Sequence, residues 1–84
     1  MGARDGRVVT LAAAPLGARV RIRYLGDPGL RAQAIRLGLG PGSEVTVWAS
    51  LAGGPVLLNR GNQRMAVGRR LAELTWVEIT GASS

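Results

Sequence analysis

Eleven arginines and no lysine make up the basic side chains of this 84-residue chain, against five carboxylates, for a formal charge of +6. Guanidinium groups in that excess attract anions at long range, so nucleic acid, an anionic membrane face or an acidic protein would each qualify as a partner. The abundant Ala and Gly beside them also fit a plain coding bias. Catalytic chemistry has little to work with. There is no His, which removes the commonest general base and metal ligand, and no Cys, which removes disulfides and thiolate sites. Asp5, Asp27, Glu44, Glu73 and Glu78 are scattered over turns and strand faces. No two stand at a spacing that demands an acid–base dyad or an oxygen-rich metal cage. The expectation is a chain that is not an enzyme, carries no cofactor and has no tight metal site.

Three constellations remain. Gly38-x-Gly40-x-Gly42 has the look of a phosphate loop, but such a loop follows a strand and opens a helix. Here a helical pattern leads and a strand pattern follows, so the glycines read as a corner. Arg19, Arg21 and Arg23 alternate along one strand face. They read either as a contact stripe for an acidic partner or phosphates, or as an ordinary solvated sheet face. Arg69 and Arg70, with Arg60 and Arg64, form a second basic cluster, suited either to docking an anionic surface or simply to solubility. Trp48 and Trp76 both fall on polar faces, where they form an interaction patch or cover the sheet. Nucleic-acid-binding sheets usually add stacking aromatics, and Tyr24 is expected on the apolar face, so nucleic acid is not expected as the partner.

The elements that must carry these groups are short. Residues 1–7 read as a flexible lead-in and 81–84 as a flexible tail, around one domain at 8–80. Residues 8–14 are ambiguous, and one reading is a short strand feeding a turn at Pro15-Leu16-Gly17. Residues 18–25 alternate strictly, with Val20, Ile22 and Tyr24 inward. Asp27-Pro28 is a helix-start signal. A helix over 30–37 groups Leu30, Ala34 and Leu37 on one face, with Ile35 beside them, and Gly38 caps it. Residues 43–50 alternate with Val45, Val47 and Ala49 inward. Strands follow at 56–59 and 64–67, joined by a tight turn at Gly61-Asn62. A single helical turn covers 68–73, and a last strand over 74–80 turns Thr75, Val77 and Ile79 inward. About five short strands with glycine corners predict a mainly β fold: a small, closed, SH3-like antiparallel barrel, with one short helix between its first and second strands. No apolar run is long enough to span a bilayer, and residues 8–16 are too polar for a signal peptide. The chain is expected in the cytoplasm.

Leu37-Gly38-Leu39-Gly40-Pro41-Gly42, then Gly53-Gly54-Pro55, Met65-Ala66-Val67 and Ala72-Glu73-Leu74-Thr75-Trp76-Val77-Glu78 stand in an order that resembles the FeoA family. That family comprises small cytosolic partners of the bacterial ferrous iron transporter FeoB. The resemblance runs from about Leu11 to Ile79. Two departures thin the expected core: Ala34 stands where the family often has Leu, and Thr75 where it usually has Ile or Val. The same domain type resembles the C-terminal module of metal-dependent repressors of the DtxR kind.

The resemblance implies an SH3-like module that binds FeoB and modulates GTP-linked iron uptake through protein contact, peripheral to the inner membrane face through its partner. Arg31, Arg36, Leu39 and Trp48 are the expected contact residues, with weak self-association as a further possibility. A regulatory module of a repressor, a nucleic-acid-binding barrel, and a fragment of a longer protein stand as alternatives.

Overall fold

The computed structural model describes residues 6–81. Its elements are β1 (Val8–Thr10), a 3-10 turn at Leu11–Ala13, β2 (Arg19–Leu25), α1 (Pro28–Arg36), β3 (Glu44–Ser50), β4 (Val56–Arg60), β5 (Gln63–Val67), α2 (Arg69–Leu74) and β6 (Thr75–Gly81). The strands form one antiparallel sheet in the order β1-β6-β2-β3-β4-β5. Alternation sets its inner face: Val20, Ile22, Val45, Val47, Val56, Leu58, Val67, Val77 and Ile79 are all buried in one cluster. Burial of branched aliphatic side chains in this way is the main favourable term in a domain of this size.

The expected mainly β, SH3-like architecture is present, but the sheet does not close. β1 and β5 are its two edges, and among the described residues no pairing joins them. β1 has only three residues. After β5 the chain turns at Gly68 into α2, which packs against the 3-10 turn and β1. Buried Leu11, Leu71 and Ala72 therefore fill the opening that a strand pair would have closed. The ambiguous 8–14 segment begins with a strand of three residues, and a 3-10 turn at Leu11–Ala13 follows it directly.

Thr75 is inward as expected, and its hydroxyl donates to the Leu71 carbonyl at 2.7 Å. The departure from an aliphatic residue there is thus matched by a hydrogen bond that closes the end of α2. Residues 1–5 of the expected lead-in and 82–84 of the tail lie outside the described residues. Gly6 and Arg7 extend the β1 pairing instead: Gly6 N–H donates to the Ile79 carbonyl, and Ile79 N–H to the Arg7 carbonyl.

Two bulges redirect side chains that simple alternation misplaced. In β2 the register slips between Ile22 and Tyr24, so Arg23 is the extra residue and Tyr24 lies opposite Trp76. Tyr24 is therefore outside, 54% exposed, and Leu25 takes the inward position against the core. In β3 the register slips between Val47 and Ala49, making Trp48 the extra residue; Trp48 stays outside as expected, but Ala49, expected inward, lies opposite Leu57 and is only half-buried. A bulge leaves one residue unpaired and bends the strand, which re-aims its side chain.

Candidate partner-binding surface

Asp27 starts α1 as the sequence indicates. Its Oδ1 accepts from the N–H groups of Gly29 at 2.8 Å and Leu30 at 3.1 Å, and Pro28 takes the first helical position. The other end is a Schellman motif. Leu39 N–H donates to the Ala34 carbonyl and Gly38 N–H to the Ile35 carbonyl, with Gly38 at φ +80°. Gly42 N–H then bonds the Ile22 carbonyl, and Ile22 N–H the Ser43 carbonyl, pinning the corner to β2. The glycines therefore join helix to strand in the order opposite to a phosphate loop.

The motif decides which side chains of α1 face solvent. It folds Leu39 back over Ala34, and both are buried, Leu39 to 2% exposure. Leu39 is thus a core residue and not a contact residue: the expectation that it meets a partner is corrected by the hydrophobic lock that accompanies this cap. The rule itself, an apolar residue after the capping Gly, was the signal that could have placed it. Conversely Ile35 (52% exposed) and Leu37 (46%) leave the expected apolar face and stand in solvent. Ala34 is the buried residue of α1, with Leu30 packed against the core. Arg31 and Arg36 are exposed on the same helix. The outer side of α1 thus mixes two cations with two exposed aliphatics, a combination that suits protein contact.

Trp48 is exposed too, with the Arg64 guanidinium 4.8 Å from its ring centre. It stands four residues beyond Glu44, so an extended strand carries it about 13 Å from the corner. Arg31 and Arg36 stand on α1, and Trp48 belongs to the outer sheet face. Trp76 is half-buried and stacked on Tyr24, with centroids 6.0 Å apart and ring planes at 20°. The two tryptophans thus have separate partners and do not make one patch.

The basic constellations also separate. Arg21 pairs with Glu44 and Arg23 with Glu78, both at 2.8 Å. In the second cluster, Arg60 Nη1 donates to the Gly38 carbonyl. Arg69 donates from Nε to Gly54 and from Nη2 to Leu51, bracing the β3–β4 turn. Arg60 and Arg69 therefore serve the domain's own structure. Among the described residues no group of His, Cys, Asp or Glu is arranged to hold a metal ion, and no helix is long and apolar enough to cross a membrane.

Comparison with known proteins places this geometry. The family model described as the FeoA domain matches residues 9–79. Comparison with curated proteins finds no match. Among solved structures, an iron uptake regulatory protein (FeoA) is 28% identical with a TM-score of 0.76, over 86% of this chain and 96% of that one. The FeoA protein of Chlorobium tepidum is 25% identical with a TM-score of 0.73, over 84% and 70%. A manganese-dependent transcriptional repressor matches at 18% identity and a TM-score of 0.76, over 89% of this chain but 43% of its own, a likeness of fold alone. The matched stretch takes in every helix of the fold and the capped corner at Gly38, and on that ground the chain belongs to the FeoA domain family.

Proposed function

We propose that this protein is a non-enzymatic cytoplasmic accessory factor of ferrous iron uptake. It binds the cytosolic part of a FeoB-type membrane GTPase transporter and modulates its GTP-linked activity by protein contact. The observation that carries this reading is the family match over residues 9–79. The surface is in keeping with it. A rigid sheet braces α1 from behind through Leu39 and Ala34, and α1 presents Arg31, Ile35, Arg36 and Leu37 outward. Trp48 offers a second contact on the sheet face. The pairing of Arg21 and Arg23 within the sheet also argues against nucleic acid as the partner, because it removes most of the basic stripe.

The test is a pull-down of a FeoB cytosolic domain on the immobilised protein, with and without guanine nucleotide. Retention in at least one nucleotide state, weakened by Arg31→Glu and Arg36→Glu, is the expected result. Failure in both states with folded protein overturns the reading.

A further inference from the structure

The cross-strand register lines up four side chains on the outer face of the sheet. Arg19 of β2 lies opposite Thr46 of β3, Thr46 opposite Asn59 of β4, and Asn59 opposite Arg64 of β5. Directly opposed residues share a face. The row has a guanidinium at each end, two neutral polar groups between, and a length of about 14 Å across three strand spacings. A cleft of about 160 Å³ opens beside it, lined by Arg19, Glu44, Val45, Thr46, Asn59 and Gly61.

The groups in this cleft differ from their neighbours. Arg21 and Arg23 are tied up in ion pairs, whereas Arg19 forms none among the described residues. Asn59 Oδ1 is enclosed by protein and meets no donor. Asn59 itself is one of the residues that line the cleft. The Arg19 guanidinium and the Thr46 hydroxyl supply donors on this wall, which calls for an anion.

The charge of that anion follows from the wall. Glu44 lines the same cleft, with one carboxylate oxygen bound to Arg21. A dianionic phosphate would meet this carboxylate with only one guanidinium inside to offset it. A carboxylate carries a single charge and matches the planar fork of Arg bidentately. The second guanidinium, Arg64, is held over Trp48 and is in no ion pair among the described residues. Its distance from Arg19 along the row is about the rise of four residues in an extended chain.

We propose that this face captures an acidic segment of a protein partner. One Asp or Glu carboxylate sits on Arg19 between Thr46 and Asn59, and a second, about four residues away, meets Arg64 beside Trp48. This goes beyond the functional reading above by naming the chemistry the partner offers, and it stands whether or not that partner is the transporter.

The experiment is an NMR titration of the 15N-labelled full chain with a synthetic Gly-Ser peptide carrying two Glu residues four positions apart. Amide shifts clustered at Arg19, Thr46, Asn59, Gly61 and Arg64 are expected. Arg19→Gln weakens the peptide about tenfold, the share of one charge-assisted hydrogen bond; Arg70→Gln leaves binding unchanged, and Gln in place of both Glu abolishes it. Asn59→Leu should weaken binding while raising Tm by about 5 °C, because it removes the unmatched oxygen. Shifts confined to α1, equal binding of the Gln peptide, no response to Arg19→Gln, or tighter binding of inorganic phosphate or RNA overturns the proposal. A failed transporter pull-down with the peptide still bound would overturn only the functional reading.

Discussion

The Arg60 guanidinium donates from Nη1 to the carbonyl oxygen of Gly38 at 2.5 Å, so the β4–β5 hairpin holds the last turn of α1 by its end. A Cβ on Gly38 would run into that guanidinium, and the residue's φ of +80° disfavours any side chain. Corner and hairpin are thus one mechanical unit. Gly38→Ala should lose about 1–2 kcal/mol from the left-handed backbone alone, and more from the displaced arginine. In a double-mutant cycle followed by urea unfolding, Gly38→Ala with Arg60→Ala should cost less than the two single changes summed. Strict additivity would show that the contact carries no coupling.

The two sides of α1 should respond oppositely. Leu39→Ala removes a buried leucine from beneath the helix and should cost about 2–4 kcal/mol. Arg36→Glu and Leu37→Ser change exposed residues and should stay within about 0.5 kcal/mol. If these two variants weaken partner binding while thermal unfolding is unchanged, the outer face of α1 is the contact. Unchanged binding would move the contact elsewhere.

Tyr24 and Trp76 should be coupled. Stacked aromatic pairs contribute about 0.5–1.5 kcal/mol beyond burial. Tyr24→Ala should lower stability by that order and change the fluorescence of Trp76, measured with Trp48→Phe in the background to isolate the signal. An unaltered spectrum would mean that the rings do not stack in solution.

Arg64 above Trp48 is exposed, so its loss should be mild. Arg64→Ala should cost under about 1 kcal/mol, the worth of a surface cation–π contact. Trp48→Ala should instead be read in binding: aromatic anchors at interfaces commonly cost 2 kcal/mol or more, which is about thirtyfold in affinity. Calorimetry of both variants with a bound partner separates the two effects. Equal small losses would leave Trp48 a covering residue of the sheet.

Alternation named the inward faces of β3 and β6 correctly at Val45, Val47, Thr75, Val77 and Ile79, because one buried face enforces a period of two. It failed at Tyr24, where a single extra residue in a bulge shifts the parity, and no residue type announces that slip. Helical periodicity put Leu37 inside. The left-handed turn at Gly38 instead ended the helix there and sent Leu39 inward. The corner is legible in its glycines, whereas the burial of Leu39 depends on how the cap folds it back over Ala34.

The chain by itself determined the helix start at Asp27, the cap at Gly38, the apolar strand faces, the absence of His and Cys, and the excess of arginine. These depend on local backbone preference, period or composition. Which arginines remain available was decided only by tertiary structure. Arg21 and Glu44 are 23 residues apart, Arg23 and Glu78 are 55, and Arg60 reaches a carbonyl 22 residues back. Strand register and sheet order bring those partners within hydrogen-bonding distance, and a guanidinium is spoken for only once its neighbours across the sheet are in place.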